Sequence, residues 1–490
     1  MDSSLRPDWR SSLTGAGDAL QASARAAPEA AALVGSDAGW TYRELDRAAR
    51  RLGARLGESI APGERVGILM DPGPVAVLAV HAVPRAGGVI VPLHPQWSAP
   101  ELVACVEALG IRRVLTDTRD RAVPDGAVAD PVGLEALDPL DQPTDDVPVP
   151  PSPRDPAHEH TIIWTSGTTG RPRGVALSAL NHVASAVAVT ERLGLRPTDR
   201  WALTLSPAYI GGLALILRAA ATGAVVVAPG PLGAERLAEL LEAGHVSHAS
   251  LVPTQLARLL DVRGDRPSPH GLRLLLIGGA APRGDLLERA LALGYPIALT
   301  YGLSEAASQV ATAPPALARR KPGTVGPPLR SCEVRIAADG EILVRGPTVM
   351  RGYVGADDQA VRSGWLYTGD LGRRDPEGDL WITGRKTSRI LSGGASVDPL
   401  EVETVLRSHP GVRDVMILGL ADAEWGEVVA AAVVASGADD DLAAALDAWC
   451  RDRLAPAKRP RRYVTLAALP LGANGKIDRD AVRARLAGGA

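Results

Sequence analysis

Short apolar runs alternate with amphipathic helical patterns through most of this chain, and that alternation is the strongest constraint on its fold. Tyr42–Leu56 repeats apolar residues at helical spacing, whereas Arg65–Leu69 and Gly88–Leu93 have the pattern of short buried strands. The alternation continues downstream, with a helix predicted at Ala234–Ala243 and a strand at Leu274–Ile277. Because strands that alternate with helices favour layered sheets covered by helices, we predict the α/β class.

The C-terminal third departs from this pattern. From Gly323 onward the predicted strands are shorter and separated by turns, which is more typical of a small β-barrel. The last part again mixes helices, such as Pro399–Ser408, with strands, such as Val415–Leu420. We predict a large N-terminal domain of layered sheets and helices with a small β-barrel (residues 1–385) and a small α+β C-terminal domain (residues 386–490). Within the first domain, a stretch rich in proline and aspartate, Gln142–Pro156, is predicted to be an exposed connector between subdomains.

Charge and cysteine content exclude several function classes. Lys and Arg number 53 and Asp and Glu 56, so the net charge is −3 and does not point to nucleic acid or an anionic membrane. The three cysteines are widely spaced, which excludes a disulfide framework.

The sequence shows no pattern of a secretory leader. Its most apolar stretch, Ile210–Ala228, contains Arg218 and three glycines, which is not typical of a membrane-spanning helix. We expect a soluble cytoplasmic protein without membrane insertion.

Lysine is rare among the basic side chains of this protein. Only four of the 53 are lysine, namely Lys321, Lys386, Lys458 and Lys476. Where positive charge alone is needed, the chain uses arginine. A retained lysine is therefore a weak indication of a site that needs a compact point charge rather than a planar guanidinium.

A strand pattern at Thr161–Trp164 leads into the decamer TSGTTGRPRG, residues Thr165–Gly174. Its glycines allow backbone N–H groups to approach an oligophosphate, its hydroxyls donate further hydrogen bonds, and its arginines add charge. The decamer lacks the GK[ST] end of a Walker loop. Because most decamers of this composition are flexible surface turns, it predicts a phosphate loop only together with other motifs. A helix that Ser178 caps is predicted to follow.

The decamer resembles the phosphate-loop signature of the adenylate-forming superfamily, which comprises acyl-CoA synthetases, adenylation domains and luciferases. Six more motifs follow in that family's order: IGGAAP (Ile277–Pro282), YGLSEAAS (Tyr301–Ser308), YTGDLG (Tyr367–Gly372), GRKTSRILSGG (Gly384–Gly394), PLEVE (Pro399–Glu403) and NGKIDR (Asn474–Arg479). The resemblance runs from about Gly39 to the C-terminus. It implies two half-reactions. A carboxylate attacks the α-phosphorus of ATP and releases pyrophosphate, and a thiol then attacks the acyl carbon and releases AMP.

The resemblance also implies roles for individual residues. The β- and γ-phosphates would contact Thr165, Ser166, Gly167, Thr168, Thr169, Gly170 and Arg173, the last in a position that is usually lysine. Gly279 and Ala280 would line the adenine, Tyr301 would stack on it, and Asp370 would bind the ribose hydroxyls with help from Arg385. Ser304 would contact the α-phosphate, Glu305 would bind Mg²⁺, and Lys476 would bridge the substrate carboxylate and the α-phosphate as the catalytic lysine.

For the second half-reaction, the resemblance implies that the mobile C-terminal domain rotates about a hinge near Lys386–Ser388. Gly393 and Gly394 would then approach the pantetheine thiol. This chain departs from the family in two places, with Ser388 where an acidic residue or Lys is usual and Ala395-Ser396 where Glu-Asn is common. The departures bear on the thiol partner, which is either CoA or the phosphopantetheine of a carrier protein.

The acid-binding segment, Leu205–Gly223, has Ala208 and Tyr209 where the family usually has an aromatic–His pair before two glycines. The implied acid-binding residues are Tyr209, Gly211, Gly302 and Ser308. Five small residues either leave room for a bulky or ring-bearing acid or permit tight helix packing: Gly211, Gly212, Ala306, Ala307 and Ser308. Shared phrases such as YGLSEAASQ make the resemblance strongest to o-succinylbenzoate–CoA ligases, so the acid is expected to be an aryl or small carboxylic acid.

Three functions follow from these motifs. The first is an ATP-dependent acid–CoA ligase, and the second is an adenylating ligase that loads a carrier protein. The third is a non-catalytic nucleotide-binding homologue, against which the presence of Glu305, Asp370, Arg385 and Lys476 together argues. The sequence does not decide whether the protein forms a homodimer.

Overall fold

The computed structural model of the chain describes residues 18–138, 157–165, 173–355, 360–392, 395–437, 441–473 and 475–488. Its helices are α1 (Ala19–Ala26), α2 (Tyr42–Gly57), α3 (Pro74–Arg85), α4 (Ala99–Leu109), α5 (Ala179–Leu193), α6 (Ile210–Thr222), α7 (Ala234–Glu242), α8 (Pro253–Arg263), α9 (Gly284–Ala292), α10 (Pro315–Arg320), α11 (Pro399–Arg407), α12 (Leu442–Arg451) and α13 (Arg479–Gly488). Its strands are β1 (Ala31–Val34), β2 (Gly39–Thr41), β3 (Arg65–Leu69), β4 (Val89–Leu93), β5 (Arg113–Thr116), β6 (Val128–Pro131), β7 (Glu159–Thr165), β8 (Arg173–Ser178), β9 (Arg200–Ala202), β10 (Val225–Val227), β11 (His248–Leu251), β12 (Leu274–Ile277), β13 (Ile297–Leu303), β14 (Ser308–Ala313), β15 (Glu333–Ile336), β16 (Glu341–Arg345), β17 (Gly352–Tyr353), β18 (Val361–Arg362), β19 (Trp365–Arg374), β20 (Leu380–Arg385), β21 (Ile390–Ser392), β22 (Ala395–Val397), β23 (Val412–Asp422), β24 (Gly426–Ala435) and β25 (Arg462–Thr465).

Local sequence explains where the first long helix, α2, begins. The backbone N–H of Glu44 donates to Thr41 Oγ1 at 3.2 Å, and the backbone N–H of Thr41 donates to the Glu44 carboxylate at 2.8 Å. This reciprocal cap satisfies two N–H groups that the helix leaves without partners. The helix predicted at Tyr42–Leu56 is confirmed to within one residue, and the strand predicted at Leu274–Ile277 is confirmed at both ends.

Two large sheets carry the N-terminal motifs. The first has the strand order β14-β13-β12-β11-β9-β10-β1-β2, and its pairings are parallel except at the edge strands β14 and β2. The second has the order β17-β8-β7-β4-β3-β5-β6, and only the pairings that involve β8 are antiparallel. In open α/β sheets, ligands bind outside the carboxyl ends of parallel strands. Two motifs lie at that edge of the first sheet: IGGAAP begins at the last residue of β12, and YGLSEAAS runs from the end of β13 to the first residue of β14.

The two remaining sheets lie in the C-terminal third of the chain. The region in which a small barrel is predicted is a five-stranded sheet of order β15-β16-β19-β18, in which β20 also pairs with β19. The last sheet has the order β22-β21-β24-β23, with β25 beside β24. Along β24, Val429 and Val433 belong to one apolar cluster and Val434 to another, as expected for a strand with both faces buried.

Contacts divide the chain into two compact units. The larger unit comprises Met1–Arg335, Leu343–Tyr367 and Asp375–Leu380, and the smaller unit comprises Ile336–Ile342, Thr368–Arg374 and Trp381–Ala490. The domain division at 385/386 remains a prediction. The apolar stretch Ile210–Ala228 contains α6 and β10, and within the described ranges no helix is long and apolar enough to span a membrane.

Three histidines lie near one another in the larger unit. His81 and His182 are buried, and His160 is partly buried. His81 is 8% exposed, and the rings of His160 and His182 are 5.3 Å apart. Burial lowers the pKa of His81 to about 4; Arg85 and His160 act in the same direction and Asp18 opposes them. Burial also lowers the pKa of His182 well below its usual value. His81 and His182 are therefore neutral in the folded protein at pH 7.

We expect acid to destabilise the protein through His81. The unfolded chain protonates this residue below about pH 6.5, but the folded protein does so only near pH 4, so stability is lost as the pH falls through this window. The expected loss at pH 5 from His81 alone is about 2 kcal/mol. In His81→Leu, where the new side chain would face apolar cavity residues such as Val77 and Ile216, the difference in urea stability between about pH 7.5 and pH 5 should shrink by that amount. An equal difference in variant and wild type contradicts the prediction.

Candidate active site

The first residue of the predicted phosphate loop ends β7, and its last two described residues begin the neighbouring strand β8. Thr165 pairs with Arg173 across these antiparallel strands, and Thr165 Oγ1 donates to the Arg173 carbonyl oxygen at 3.2 Å. The remaining predicted phosphate ligands, Ser166, Gly167, Thr168, Thr169 and Gly170, lie outside the described residues. Ser178 ends β8 and caps α5 as predicted, since it accepts the backbone N–H of Asn181 at 3.2 Å. The two ends of the loop are thus held together by the sheet.

Glu305 is held by a tyrosine that the sequence analysis did not identify. Tyr353 Oη donates to Glu305 Oε1 at 2.7 Å, and the Arg173 guanidinium lies 5.1 Å from the centre of the Tyr353 ring. The Glu305 carbonyl oxygen also accepts the N–H of Met350 at 2.8 Å. Because a cation bound by this carboxylate would meet a side chain that is already oriented, Glu305 suits a metal ligand. Tyr353 is in none of the motifs and is 48 residues from Glu305, so no local sequence signal identifies it.

The YGLSEAAS motif makes a tight reversal from β13 into β14. Ser304 and Glu305 lie in a short 3₁₀ helix, and the two residues after it, Ala307 and Ser308, have positive φ angles of 51° and 103°. Positive φ is uncommon for residues other than glycine and is often found at functional sites. Gly302 is required by packing, because a Cβ there would lie 1.9 Å from the Ser308 carbonyl oxygen. The reversal thus brings Ser304 and Ser308 close to Gly302.

The residues predicted to hold adenine lie at the carboxyl ends of two neighbouring parallel strands. Ile277 of β12 pairs with Leu299 of β13, so Gly279 and Ala280 leave β12 beside Tyr301. Gly279 has φ +79°, and both Gly279 and Ala280 are exposed, whereas Tyr301 is buried. This arrangement is the usual ligand-binding edge of an open α/β sheet.

The acid-binding segment begins at Tyr209, directly before α6, and two further aromatic residues contact it. Trp97 Nε1 donates to Tyr209 Oη at 3.4 Å, and the rings of His94 and Tyr209 lie 5.2 Å apart. His94 and Trp97 follow β4 and were not identified from the sequence. Burial lowers the pKa of His94 and raises that of Tyr209. The cluster therefore presents neutral aromatic groups near pH 7.

Packing against the backbone explains one of the two glycines of this segment, Gly212. A Cβ on Gly212 would lie 2.4 Å from the carbonyl oxygens of Leu205 and Ser206, and one on Gly211 would lie 2.9 Å from a Leu205 methyl group. Of the two explanations for small residues, tight packing of α6 is therefore the one that the structure supports at Gly212.

Within the smaller unit, the structure brings Asp370, Arg385 and Lys476 together. Arg385 Nε lies 3.1 Å from Asp370 Oδ1. The pKa of Lys476 is lowered because protein groups displace water from its ammonium and Arg385 repels it, while Asp370 acts in the opposite direction. A tight turn presents Lys476, since its carbonyl oxygen accepts the N–H of Gly472 at 2.8 Å and Gly475 has φ +71°. Three residues from three different motifs, which are far apart in the sequence, thus share one electrostatic environment.

The predicted thiol-binding residues, Gly393 and Gly394, lie outside the described residues. They connect β21 to β22, which are antiparallel with Ser392 paired to Ala395. The predicted hinge Lys386–Ser388 is a short 3₁₀ helix.

The class of protein follows from comparison with known families. The AMP-binding enzyme family matches residues 20–354, and the C-terminal domain of AMP-binding enzymes matches residues 401–476. The chain therefore belongs to the AMP-binding enzyme family, and the predicted adenylate-forming superfamily is confirmed.

Proteins similar to this chain over most of its length include 2-succinylbenzoate–CoA ligases. The chain is 34% identical to the ligase of Bacillus velezensis over 474 residues, which cover 93% of this chain and 95% of that protein. The o-succinylbenzoate CoA synthetase of Bacillus subtilis in complex with the acyl-adenylate intermediate OSB-AMP has a TM-score of 0.84 at 32% identity, covering 95% of this chain and 98% of its own. The same synthetase with ATP and magnesium ion has a TM-score of 0.83 at 31% identity, covering 96% and 99%. The predicted fold class is confirmed by these structures.

Proposed function

We propose that this protein is an ATP-dependent acid–CoA ligase that takes 2-succinylbenzoate, or an aryl acid close to it, as its acid. The observation that carries the proposal is the extent of the similarity to 2-succinylbenzoate–CoA ligases, which covers 93% of the chain. The C-terminal family match ends at Lys476, the predicted catalytic lysine. The predicted enzyme class, an AMP-forming acid–thiol ligase that uses ATP, Mg²⁺ and CoA, agrees with these relatives.

In the first half-reaction, a carboxylate oxygen of the acid attacks the α-phosphorus of ATP and the bond to pyrophosphate breaks. Negative charge spreads over oxygens in this step, so fixed donors and cations accelerate it. We assign Lys476 to the substrate carboxylate and the α-phosphate, with Ser304 as a further donor. Asp370, oriented by Arg385 at 3.1 Å, accepts hydrogen bonds from the ribose hydroxyls.

The remaining nucleotide contacts are proposed for the carboxyl edge of the first sheet and for the segment that joins β7 to β8. Gly279 and Ala280 line the adenine and Tyr301 stacks on it. Thr165 and Arg173 bind the β- and γ-phosphates. The same role is proposed for five residues that lie between them in the sequence: Ser166, Gly167, Thr168, Thr169 and Gly170.

A magnesium ion fits the chemistry of Glu305. Mg²⁺ is usually held by one or two carboxylates together with substrate phosphates and water, and Glu305 supplies one carboxylate whose Oε1 is fixed by Tyr353. Bound there, the ion would neutralise charge on the phosphate oxygens. Tyr353 orients the carboxylate, and Arg173 stacks on the Tyr353 ring.

In the second half-reaction, the thiol sulfur of CoA attacks the acyl carbon, loses its proton, and displaces AMP. We assign the approach of the thiol to the backbone of Gly393 and Gly394. The acid itself is assigned to Tyr209, Gly211, Gly302 and Ser308. A cytoplasmic location is part of the proposal, because the reaction needs ATP and CoA and the three cysteines are free thiols.

A panel of acids tests the proposal. Pyrophosphate exchange is measured with 2-succinylbenzoate, benzoate, succinate and a short-chain fatty acid, and product formation is then measured with CoA or with a phosphopantetheinylated carrier protein. We expect the fastest exchange with 2-succinylbenzoate and a thioester with CoA. Transfer to the carrier protein alone would establish the loading ligase instead, and no exchange with any acid would establish a non-catalytic homologue.

A further inference from the structure

The turn that carries Asp370 is held through its backbone by a neighbouring carboxylate. The N–H of Gly369, which has φ +70°, donates to Glu341 Oε1 at 2.8 Å. The N–H of Asp370 donates to Thr368 Oγ1 at 3.1 Å, and the same hydroxyl donates to the carbonyl oxygen of Ile342 at 2.7 Å. The direction of the Asp370 side chain therefore depends on residues at the start of β16.

Glu341 is itself held by a lysine. Glu341 is only 6% exposed, and its second oxygen, Oε2, accepts a hydrogen bond from Lys386 Nζ at 2.9 Å. Lys386 Nζ also donates to Asp339 Oδ2 at 2.6 Å. The two carboxylates raise the pKa of Lys386. Because a buried carboxylate without a cation is costly, the position of Glu341 depends on Lys386.

Two consecutive basic residues thus stabilise the turn that carries Asp370, one by a direct contact and the other through Glu341. Arg385 contacts the Asp370 carboxylate directly, and Lys386 acts through Glu341 on the backbone of Gly369. Lysine is used at only four of the 53 basic positions of this chain. At Lys386 it supplies a compact ammonium that meets two acceptors in different directions, a geometry that a planar guanidinium fits less well.

We propose that Glu341 and Lys386 are positioning residues for ATP, which set the orientation of the Asp370 carboxylate toward the ribose hydroxyls. The inference rests on the proposed function, because it takes Asp370 as the ribose ligand. Neither residue touches the reacting atoms. Their loss should therefore weaken the use of ATP and leave the affinity for the acid and for CoA unchanged.

The test compares Lys386→Met with Asp339→Asn in pyrophosphate exchange. Lys386→Met leaves Glu341 without its cation, and we expect the KM for ATP to rise about tenfold with the KM for the acid unchanged. Asp339→Asn removes only the exposed acceptor of Lys386 and keeps an acceptor for the N–H of Glu341 at 3.1 Å. This matched control should stay within about twofold of wild type. Lys386→Arg, which keeps the charge, should recover part of the loss.

A modified nucleotide separates positioning from general structural damage. With 2′-deoxy- and 3′-deoxy-ATP, the ratio of the KM values of Lys386→Met and wild type should fall toward one, because the hydroxyl that Asp370 binds is already missing. A ratio that stays near tenfold with both analogues overturns the inference, as does an unchanged KM for ATP in Lys386→Met. Asp370→Ala distinguishes the two proposals. If its KM for ATP is also unchanged, the assignment of Asp370 in the proposed function fails; if only Lys386→Met is unchanged, the positioning role alone fails.

Discussion

Replacing Lys476 with alanine is expected to slow pyrophosphate exchange by about 10²–10³-fold, the scale on which enzymes lose one donor that stabilises a transition state. In the first half-reaction, charge builds up on the α-phosphate oxygens as the acid carboxylate attacks. The ammonium of Lys476 shares its surroundings with Arg385 and Asp370, the residues assigned to the nucleotide. Alanine removes this charge and leaves the other contacts in place.

Lys458→Ala is a suitable control for the lysine variant. Lys458 is another of the four lysines and also belongs to the smaller unit, but its ammonium pairs with Glu401 at 2.6 and 2.7 Å on the surface. Exposed ion pairs contribute little, so its exchange rate should stay within about twofold of wild type. Synthetic acyl-adenylate supplied with CoA bypasses the first half-reaction, and Lys476→Ala should still form thioester from it. Exchange by Lys476→Ala at the wild-type rate would exclude the catalytic role.

Elements defined by local patterns were predictable from the sequence. The helix at Tyr42–Gly57 has a capping pair three residues apart and a continuous apolar face, and the strand at Leu274–Ile277 is an unbroken apolar run. Both signals are contained in fewer than twenty consecutive residues. The strand before the predicted phosphate loop has a signal of the same kind, because Thr161–Trp164 is a short run of β-branched and aromatic residues.

Contacts between distant segments could not be predicted. Tyr353 reaches Glu305 across 48 residues, and Trp97 reaches Tyr209 across 112. These partners become neighbours only through the strand order of the sheets. The role of a glycine is also hidden in sequence, because Gly212 suits an open pocket and a close backbone contact equally well. Only the 2.4 Å approach of two carbonyl oxygens to its missing Cβ distinguishes them.

The smaller unit shows why a boundary on the chain is hard to predict. It combines Ile336–Ile342 and Thr368–Arg374 with the chain from Trp381 onward. A sequence pattern describes consecutive residues, whereas strand pairing decides which separate segments associate. As a result, Asp370, Arg385 and Lys476 are in one unit although the motifs that contain them extend over more than 100 residues.

Replacing Glu305 with glutamine is expected to lower pyrophosphate exchange by about 10²-fold, because the amide keeps the shape of the side chain but is a much weaker ligand for Mg²⁺. Its carbonyl oxygen still accepts the Tyr353 hydroxyl that now lies 2.7 Å from Glu305 Oε1, so the local fold should persist. The Mg²⁺ concentration that gives half-maximal exchange should rise, and added Mg²⁺ should recover part of the rate.

Two companion variants give this prediction its controls. Tyr353→Phe removes only the hydrogen bond that orients the carboxylate, and we expect a loss of a few-fold, well below that of Glu305→Gln. Glu333→Gln changes an exposed carboxylate that pairs with Arg345 in the same unit, and it should leave both the rate and the Mg²⁺ dependence unchanged. A Glu305→Gln enzyme with wild-type Mg²⁺ dependence would show that the ion is held elsewhere. Because a loss of folding would slow exchange without moving the half-maximal Mg²⁺ concentration of the remaining active enzyme, that concentration, rather than the rate alone, decides the role of Glu305.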